Sequence, residues 1–334
     1  MPLCEKMYFN KQSSNNGRTV VSVMALKGRT VIEEFLEWGE EMTGSTFYKD
    51  YKNNEELRKS FNELATLVFG LNFEDWYKKG YWNNRYIPFS YADGGKVIAN
   101  VSVNLLDFVI NGENKRAIQI GTVMTHPDYR NRGLSASLMN KVLEEFESSY
   151  DFMYLFANQN VLDFYPKFGF QSVNEYQFSM IYSPIQSDTI GIRKLDGNNS
   201  DDLNFVYKIA SERVPVSNLF GTLNTHGILM FYCIYVFKND IYYVEDEDAI
   251  VIFKAEGKQI DLFDIVSKKE VSIHNILSKI TNSDTNRIVF HYTPNYKGGD
   301  TQRDIFNGDD VLFVKTSGTN HFPLQVKHPI TSQA

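Results

Sequence analysis

The sequence predicts an α/β (α+β) protein of two halves, each with a mixed, mostly antiparallel sheet flanked by helices. Three observations carry this. Two hairpin signals, Asp93-Gly94-Gly95 and Asn111-Gly112, join three consecutive strand-like runs. An amphipathic helical stretch then separates the third run from a short apolar run at Phe152–Ala157. A fainter copy of that order, strand meander, helix, strand, returns after residue 200, and 334 residues are ample for two domains.

Composition narrows the class. The hydrophobic fraction of 43% and charged fraction of 22% are ordinary for a globular chain. Aromatic residues make up 14%, with 20 Tyr and 25 Phe, which favours aromatic-rich sheets. A formal net charge of -7 argues against a nucleic-acid surface. The two cysteines, Cys4 and Cys233, form neither a disulfide framework nor a zinc spacing, so a reducing, cytoplasmic setting is expected. No apolar run approaches the ~20 residues that span a bilayer, and Thr19–Leu26 is too short and broken for the apolar core of a signal peptide.

In chain order, residues 1–46 read as an extension. They hold a turn signal at Asn15-Asn16-Gly17, Gly-Arg-Thr-Val at both Gly17–Val20 and Gly28–Val31, and a short helix within Val31–Met42. The first domain is placed at 47–183. Asn53 or Asn54 caps a helix with Glu55 and Glu56 in its first turn, an apolar stripe of Leu57, Phe61, Leu64 and Val68, and Gly70 as its stop. A short aromatic helix covers Phe73–Gly80. Strands follow at Tyr86–Tyr91, Lys96–Ile110 and Ala117–Thr125, then a helix at Leu134–Tyr150 and a strand at Phe152–Ala157. A helix at Val161–Lys167 and a last strand at Gln171–Tyr182 complete the domain. The Pro- and Gly-containing segment Ser183–Asn199 marks the boundary, and 192–334 reads as the second domain. It has a helix at Ser200–Ser211 and strands at Phe231–Phe237, Ile241–Glu245, Ala249–Ala255 and Gln259–Val266. A helix at Val271–Ile280 and strands at Arg287–Tyr292 and Val311–Thr316 follow.

The chemistry concentrates in Ile118–Phe170. A strand runs into a Pro turn, then a loop, Arg130-Asn131-Arg132-Gly133, at which a helix opens with Leu134, Ser135 and Ala136. The first N–H groups of a helix lack intrahelical partners and carry partial positive charge, so they bind phosphate. Arg130 and Arg132 add full charges, and Gly133, Ser135 and Ala136 are small enough for a pyrophosphate to approach the backbone. The second half has Ser267-Lys268-Lys269-Glu270 at the corresponding place, with no glycine.

Arg130–Ser135 resembles the Arg/Gln-x-x-Gly-x-Gly/Ala motif of the GCN5-related N-acetyltransferases (the GNAT superfamily), with Ser135 where Gly or Ala is usual. Phe164-Tyr165-Pro166-Lys167-Phe168-Gly169-Phe170 resembles the family's Tyr-x-x-x-Gly-Phe signature, with Asn158 seven residues before Tyr165. The resemblance covers about Tyr86–Met180. It implies a GNAT fold followed by a degenerate GNAT-like domain, as in tandem family members similar to the enhanced-intracellular-survival acetyltransferases. It implies acetyl-CoA as cosubstrate, no metal, and direct attack of an amine on the thioester. The backbone of Val123, Met124 and Thr125 would hold the pantetheine, with the N–H near Met124 as oxyanion donor. Residues Arg130, Asn131, Arg132, Gly133, Leu134, Ser135 and Ala136 would hold the pyrophosphate. Asn158 would contact the pantetheine arm, and Tyr165 would protonate the departing thiolate.

Several assignments have plainer readings. Asn158 also reads as a strand end, and Tyr165 as a packed aromatic. Phe73, Trp76, Tyr77, Tyr81 and Trp82 wall an acceptor groove or simply fill a core, and the acidic run Glu245–Asp248 reads as a solvated turn. No carboxylate stands on the strand before the loop. Asp107 and His126 are the nearest proton-handling candidates, and by the resemblance the chain-terminal carboxylate of Ala334 is a third. No histidine falls at metal-ligand spacing. The expected acceptor is an amine-bearing small molecule or peptide, with no nucleic acid or membrane as partner and a homodimer allowed. The competing function is a non-catalytic CoA-binding or regulatory protein of the same fold.

Overall fold

A computed structural model of the chain describes residues 44–184, 190–296 and 301–334. The expected helix in Val31–Met42 and both Gly-Arg-Thr-Val segments lie outside the described residues.

The first half opens with strand β1 (Ser45–Lys49), which the sequence did not announce, and helix α1 (Glu55–Phe69). The Asn54 side chain accepts the Leu57 N–H at 3.1 Å, and Gly70 ends the helix at φ 69°, a left-handed stop that glycine adopts without strain. Helix α2 (Glu74–Lys78) follows, then strands β2 (Tyr86–Asp93), β3 (Lys96–Ile110) and β4 (Glu113–Thr125). Two-residue turns join the strands. Gly94 and Gly95 have φ of 54° and 82°, and Asn111 and Gly112 have 51° and 82°, the positive pairs that match strand twist. Helix α3 (Leu134–Glu145) and strand β5 (Phe152–Asn158) come next. Val161–Lys167, expected as a helix, forms instead two 3-10 turns, Gln159–Val161 and Tyr165–Phe168. Pro166 supplies no N–H, and Gly169 at φ 83° closes the second turn at once.

The expected strand Gln171–Tyr182 is two strands, β6 (Gln171–Val173) and β7 (Tyr176–Ile181). It breaks because Glu175 turns inward, where it accepts from Lys327 Nζ at 3.1 Å and from the His328 N–H at 2.9 Å. The second half then runs β8 (Ile192–Leu195), α4 (Ser200–Ser211), β9 (Phe220–Leu223), α5 (His226–Tyr235), β10 (Ile241–Val244), β11 (Ala249–Glu256) and β12 (Gln259–Ser267). It closes with α6 (Ile273–Ile280), β13 (Arg287–Phe290), β14 (Gln302–Ile305) and β15 (Asp310–Thr316). Phe231–Phe237, expected as a strand, lies mostly within α5. An apolar run buried on several sides has no period to reveal its geometry. Here Ile228, Leu229, Met230 and Cys233 are all buried, and Trp76 Nε1 donates to the Gly227 carbonyl at 2.8 Å.

The two sheets exchange strands. The first has the order β1-β2-β3-β4-β5-β15-β6, with β9 also on β3, and the second β14-β7-β13-β12-β11-β10-β8. In the first, the β2-β3-β4 meander crosses through α3 to β5, which is parallel to β4. In the second, β10-β11-β12 crosses through α6 to β13, parallel to β12. Beyond β5 the next strand is β15, from the C-terminal half. Beyond β13 it is β7, from the N-terminal half. Sheet membership therefore does not follow the expected boundary after residue 183. Each half supplies the strand that covers the other's edge.

Helix α3 lays Leu134, Leu138, Met139 and Val142 on one face of the first sheet, against Val101, Val103, Ile118 and Ile120. On its other flank α1 and α2 share a core with α4 and α5. Phe73, Trp76, Tyr81 and Trp82 are buried there beside Phe61, Leu203 and Met230, with partly buried Tyr77 packed against them, so of the two readings of these aromatics the core is the one observed. The C-terminal segment Val326–Ser332 runs buried between the halves, except for half-buried Ile330. In it Lys327 pairs with Glu175, and His328 Nε2 meets the Tyr154 hydroxyl at 3.0 Å, with burial holding the imidazole down at about 3 and so neutral.

Because each sheet contains a strand of the other half, both halves are expected to unfold in one transition with matching calorimetric and van't Hoff enthalpies. Glu175→Ala strands the buried Lys327 ammonium, and chemical denaturation is expected to show a loss of about 3–5 kcal/mol.

Candidate functional site

The site begins where β4 and β5 part. Their parallel pairing runs from Ala117↔Phe152 to Ile120↔Leu155 and stops, although β4 continues to Thr125 and β5 to Asn158. The cause is a bulge. On the β3 side, Ser102 opposes Gly121 and Asn100 opposes Met124, so β4 carries one residue more than β3 across this stretch. Thr122 sits in the bulge at φ 50°, a backbone conformation that a β-branched residue rarely adopts.

A buried polar chain holds it. Asn100 Nδ2 donates to the Thr122 carbonyl at 2.8 Å and to Ser102 Oγ at 2.9 Å. Its Oδ1 accepts from Ser90 Oγ at 2.8 Å, which in turn meets the Tyr51 hydroxyl at 2.7 Å. The Tyr86 hydroxyl donates to Thr122 Oγ1 at 2.9 Å, and burial pushes that phenol up to about 12. Sequence reasoning missed Tyr86, Ser90 and Asn100. The only signal was a polar residue at fully buried positions of otherwise apolar strands.

The bulge also sets which amides face the gap. The His126 N–H donates to the Ile98 carbonyl at 2.8 Å. Antiparallel ladders alternate bonded and non-bonded pairs, so Met124, opposite Asn100, also turns its N–H toward β3. Val123 and Thr125 turn theirs toward the gap. The amide expected at Met124 is thus on the wrong side of the strand for an oxyanion, and the Met124 side chain is in the core with 1% exposure.

Beyond β4 the chain makes a 3-10 turn, Pro127–Tyr129, capped by His126, whose Nδ1 accepts the Asp128 N–H at 3.3 Å. Asn131 at φ 61° and Gly133 at φ 75° then bend the backbone so that α3 opens at the mouth of the gap. Gly133 caps α3 with no side-chain hydrogen bond, leaving the first N–H groups of Leu134, Ser135 and Ala136 without a side-chain cap. A Cβ built on Gly133 would meet nothing within 4 Å, so the approach to this backbone is open. Arg130, Asn131, Arg132 and Gly133 are exposed at the rim. Thr125 Oγ1 and Ser135 Oγ, 2.6 Å apart, tie the strand end to the helix start. This is a cradle that fits a pyrophosphate: open backbone, helix N-terminus and two guanidinium groups.

At the far side of the gap, the Asn158 side chain accepts the Asn160 N–H at 3.0 Å and so caps the turn after β5. Tyr165 follows, its ring packed on Phe164, Phe170 and Phe313. Burial first, and the Asp310 carboxylate second, push its hydroxyl up to about 12, so it holds its proton at neutral pH.

Of the proton-handling candidates on the preceding elements, Asp107 lies away from the bulge. Asp107 opposes Arg116, five positions along β3 from Ser102 and therefore ~17 Å away, and its carboxylate accepts from Asn224 Nδ2 at 2.5 Å. His126 Nδ1 caps its turn. Ala334 is the group that arrives: a Cβ built on Gly121 would stand 3.2 Å from both its carbonyl carbon and its carbonyl oxygen. On the same face, one strand step further back, lies Gln119, paired in register with Asn104 and Tyr154. Asn104 Nδ2 and both polar side-chain atoms of Gln119 are buried without a hydrogen-bond partner, atoms that a water or a ligand's polar group would satisfy.

Residues 51–173 match the family model described as Acetyltransferase (GNAT) domain. Among curated proteins none matches the chain. Among solved structures, the chain is similar to a probable N-acyltransferase from Enterococcus faecalis V583 at TM-score 0.53 and 12% identity, covering 82% of this chain and 73% of that one. A GCN5-related N-acetyltransferase from Kribbella flavida gives TM-score 0.51 and 15% identity over 83% and 72% of the two chains. Eis1 from Mycobacterium abscessus gives 0.51 and 13% over 80% and 73%. At these identities the likeness is one of fold.

Asn100→Ala removes the hub of the buried chain and leaves the Thr122 carbonyl, Ser90 and Ser102 short of partners. Denaturant unfolding is expected to show a loss of about 2–3 kcal/mol with an unchanged m-value.

Proposed function

We propose that this chain, whose residues 51–173 match the acetyltransferase (GNAT) domain family, transfers an acetyl group from acetyl-CoA to a primary amine. The observation that carries the reading is the parting of β4 and β5 at the Thr122 bulge, with the uncapped N-terminus of α3 at its mouth. Acetyl-CoA supplies an activated thioester, so no protein nucleophile is required.

The chain's own residues then divide the work. Arg130, Arg132 and the N–H groups of Gly133–Ala136 bind the pyrophosphate, and Asn158 meets the pantetheine arm. Val123 and Thr125 direct their N–H groups into the gap, Val123 beside the bulge replacing Met124 as the donor to the developing oxyanion. Tyr165, still protonated at neutral pH, delivers a proton to the leaving sulfur. An amine is mostly protonated at pH 7 and must lose a proton before it attacks. Ala334 packs against Gly121, beside the bulge. The acceptor enters between the halves, opposite the cofactor loop.

The test is release of CoA thiol from acetyl-CoA across a panel of aminoglycosides, polyamines, lysine peptides and peptide N-termini. Turnover with at least one class is expected. Binding of acetyl-CoA without turnover would favour the non-catalytic CoA-binding alternative, and no binding would reject both. Tyr165→Phe is expected to lower kcat by ~10²–10⁴-fold with CoA affinity retained. Arg130→Ala with Arg132→Ala is expected to weaken CoA binding and to flatten its dependence on salt.

A further inference from the structure

The two sheets differ at one matched position. β12 carries one residue more than β11 between Leu262, opposite Phe253, and Asp264, opposite Ile252, so Phe263 is a bulge like that at Thr122. The parallel pairing of β12 with β13 ends at Leu262↔Phe290, as that of β4 with β5 ends at Ile120↔Leu155. One residue before that end stands Asp261 in the second sheet and Gln119 in the first. The Asp261 carboxylate has its valences met: Oδ1 faces His291 Nε2 at 2.9 Å, and Oδ2 accepts from Gln259 Nε2 at 2.9 Å. Gln119 is the opposite case, with neither Nε2 nor Oε1 meeting a hydrogen-bond partner.

Gln119 belongs to a polar row that crosses the face of the first sheet turned away from α3. Asn104 pairs with Gln119 across β3 and β4, and Gln119 with Tyr154 across β4 and β5. The Tyr154 hydroxyl meets His328 Nε2 at 3.0 Å, while Asn104 Nδ2 and His328 Nδ1 lack partners. All four residues are at most 3% exposed. One pleat further back, the row of Leu106, Ala117 and Phe152 is apolar. One pleat forward, ~7 Å along the strand, stand Ser102 and Gly121 at the edge of the bulge. Buried polar groups without partners cost free energy in the folded state, so a row of them calls for a group from outside the chain that satisfies it.

We propose that Asn104 and Gln119 form the subsite that selects the acceptor, and that it takes an uncharged amide group carried ~7 Å from the reacting amine. This rests on the acetyl transfer proposed above. The chemistry follows from the atoms left open. Asn104 Nδ2 and Gln119 Nε2 donate and Gln119 Oε1 accepts, and an amide offers a carbonyl to the donors and an N–H to the acceptor. Burial excludes charge. The row holds no ionised side chain, because burial keeps the Tyr154 phenol protonated and the His328 imidazole neutral. A second ammonium or a carboxylate placed there would lose its water and find no counter-charge in the row. A hydrocarbon would leave the two amides unpaired, and a site built for hydrogen bonding rejects a ligand that lacks the group. The acceptor is thus a singly charged amine with an amide along its chain, and not a polyamine.

The experiment measures acetyl-CoA turnover by the full chain with amines on similar carbon chains: mono-acetylated diaminobutane, diaminobutane, aminobutyrate and pentylamine. kcat/KM for the mono-acetylated amine is expected to exceed that of each other amine by at least ~10-fold. Gln119→Met keeps the length of the side chain and removes both polar atoms. It is expected to raise KM for the mono-acetylated amine by ~10-fold or more, bringing its kcat/KM down to that of pentylamine, with KM for acetyl-CoA unchanged. The melting temperature of this variant is expected to hold or rise, because unpaired groups leave the core. Asn104→Leu removes the partner across the ladder and is expected to shift the preference in the same direction. Turnover with equal kcat/KM across the amines, or highest with diaminobutane, would overturn the subsite and leave acetyl transfer standing. A preference that survives both variants would mean that the amides hold water alone, and would overturn it as well. If no amine turns over, acetyl transfer fails and calorimetric titration with mono-acetylated diaminobutane decides the subsite by itself. Binding by the wild type that Gln119→Met abolishes would support it, and any other result would overturn it.

Discussion

Parallel strands stay hydrogen-bonded only while their amide and carbonyl groups keep step, and one inserted residue is enough to end that. The extra residue at Thr122 is such an insertion, and the first sheet is arranged around it. It stops the β4–β5 ladder, opens a gap lined by backbone amides, and sets which amides face it. A β-branched residue at φ 50° persists only where its surroundings over-determine it. The chain from Tyr51 through Ser90 and Asn100, with Tyr86 on the side chain, supplies that determination within a buried region where each hydrogen bond is strengthened by the lack of water.

The second sheet shows what the same geometry becomes without a glycine-bearing loop at the helix start. Its bulge and its parting are retained, but Ser267–Glu270 offers no glycine, and the space holds an Arg213–Asp264 pair and the end of the chain. A buried ion pair is costly unless its remaining valences are met. Thr331 and the Ile265 carbonyl meet them here. With β7 and β15 exchanged, neither sheet is complete without the other half. The halves are thereby locked in the relation that brings Ala334 to Gly121.

Where the local pattern was strong, the elements were legible. Asn54, Glu55, Glu56 and Gly70 bracket α1 as written, and the paired positive-φ turns bracket β3. Patterns failed where one run fits two geometries. The apolar 231–237 stretch reads as a strand but is buried as a helix, and 171–182 reads as one strand but is cut by an inward Glu175 whose partners lie about 150 residues away in the chain. The loop Arg130–Gly133 and the helix start after it were legible because Gly133 and the small residues that follow it stand consecutively in the sequence. The facing of the Met124 amide was not legible, because it depends on the phase of the ladder, which the bulge shifts.

The sequence by itself therefore determined the local quantities: helix caps, hairpin turns, the Arg- and Gly-bearing loop, and the absence of a carboxylate from Ala117–Thr125 before it. The tertiary structure alone decided which strands complete which sheet, which amides face the gap, and what stands over the bulge. The reason is physical. Caps and turns are satisfied by neighbours within a few residues, so their chemistry is written consecutively. Edge strands, buried charges and the packing of Ala334 on Gly121 are satisfied by groups about 100 to 200 residues distant, and no local pattern encodes a partner at that range.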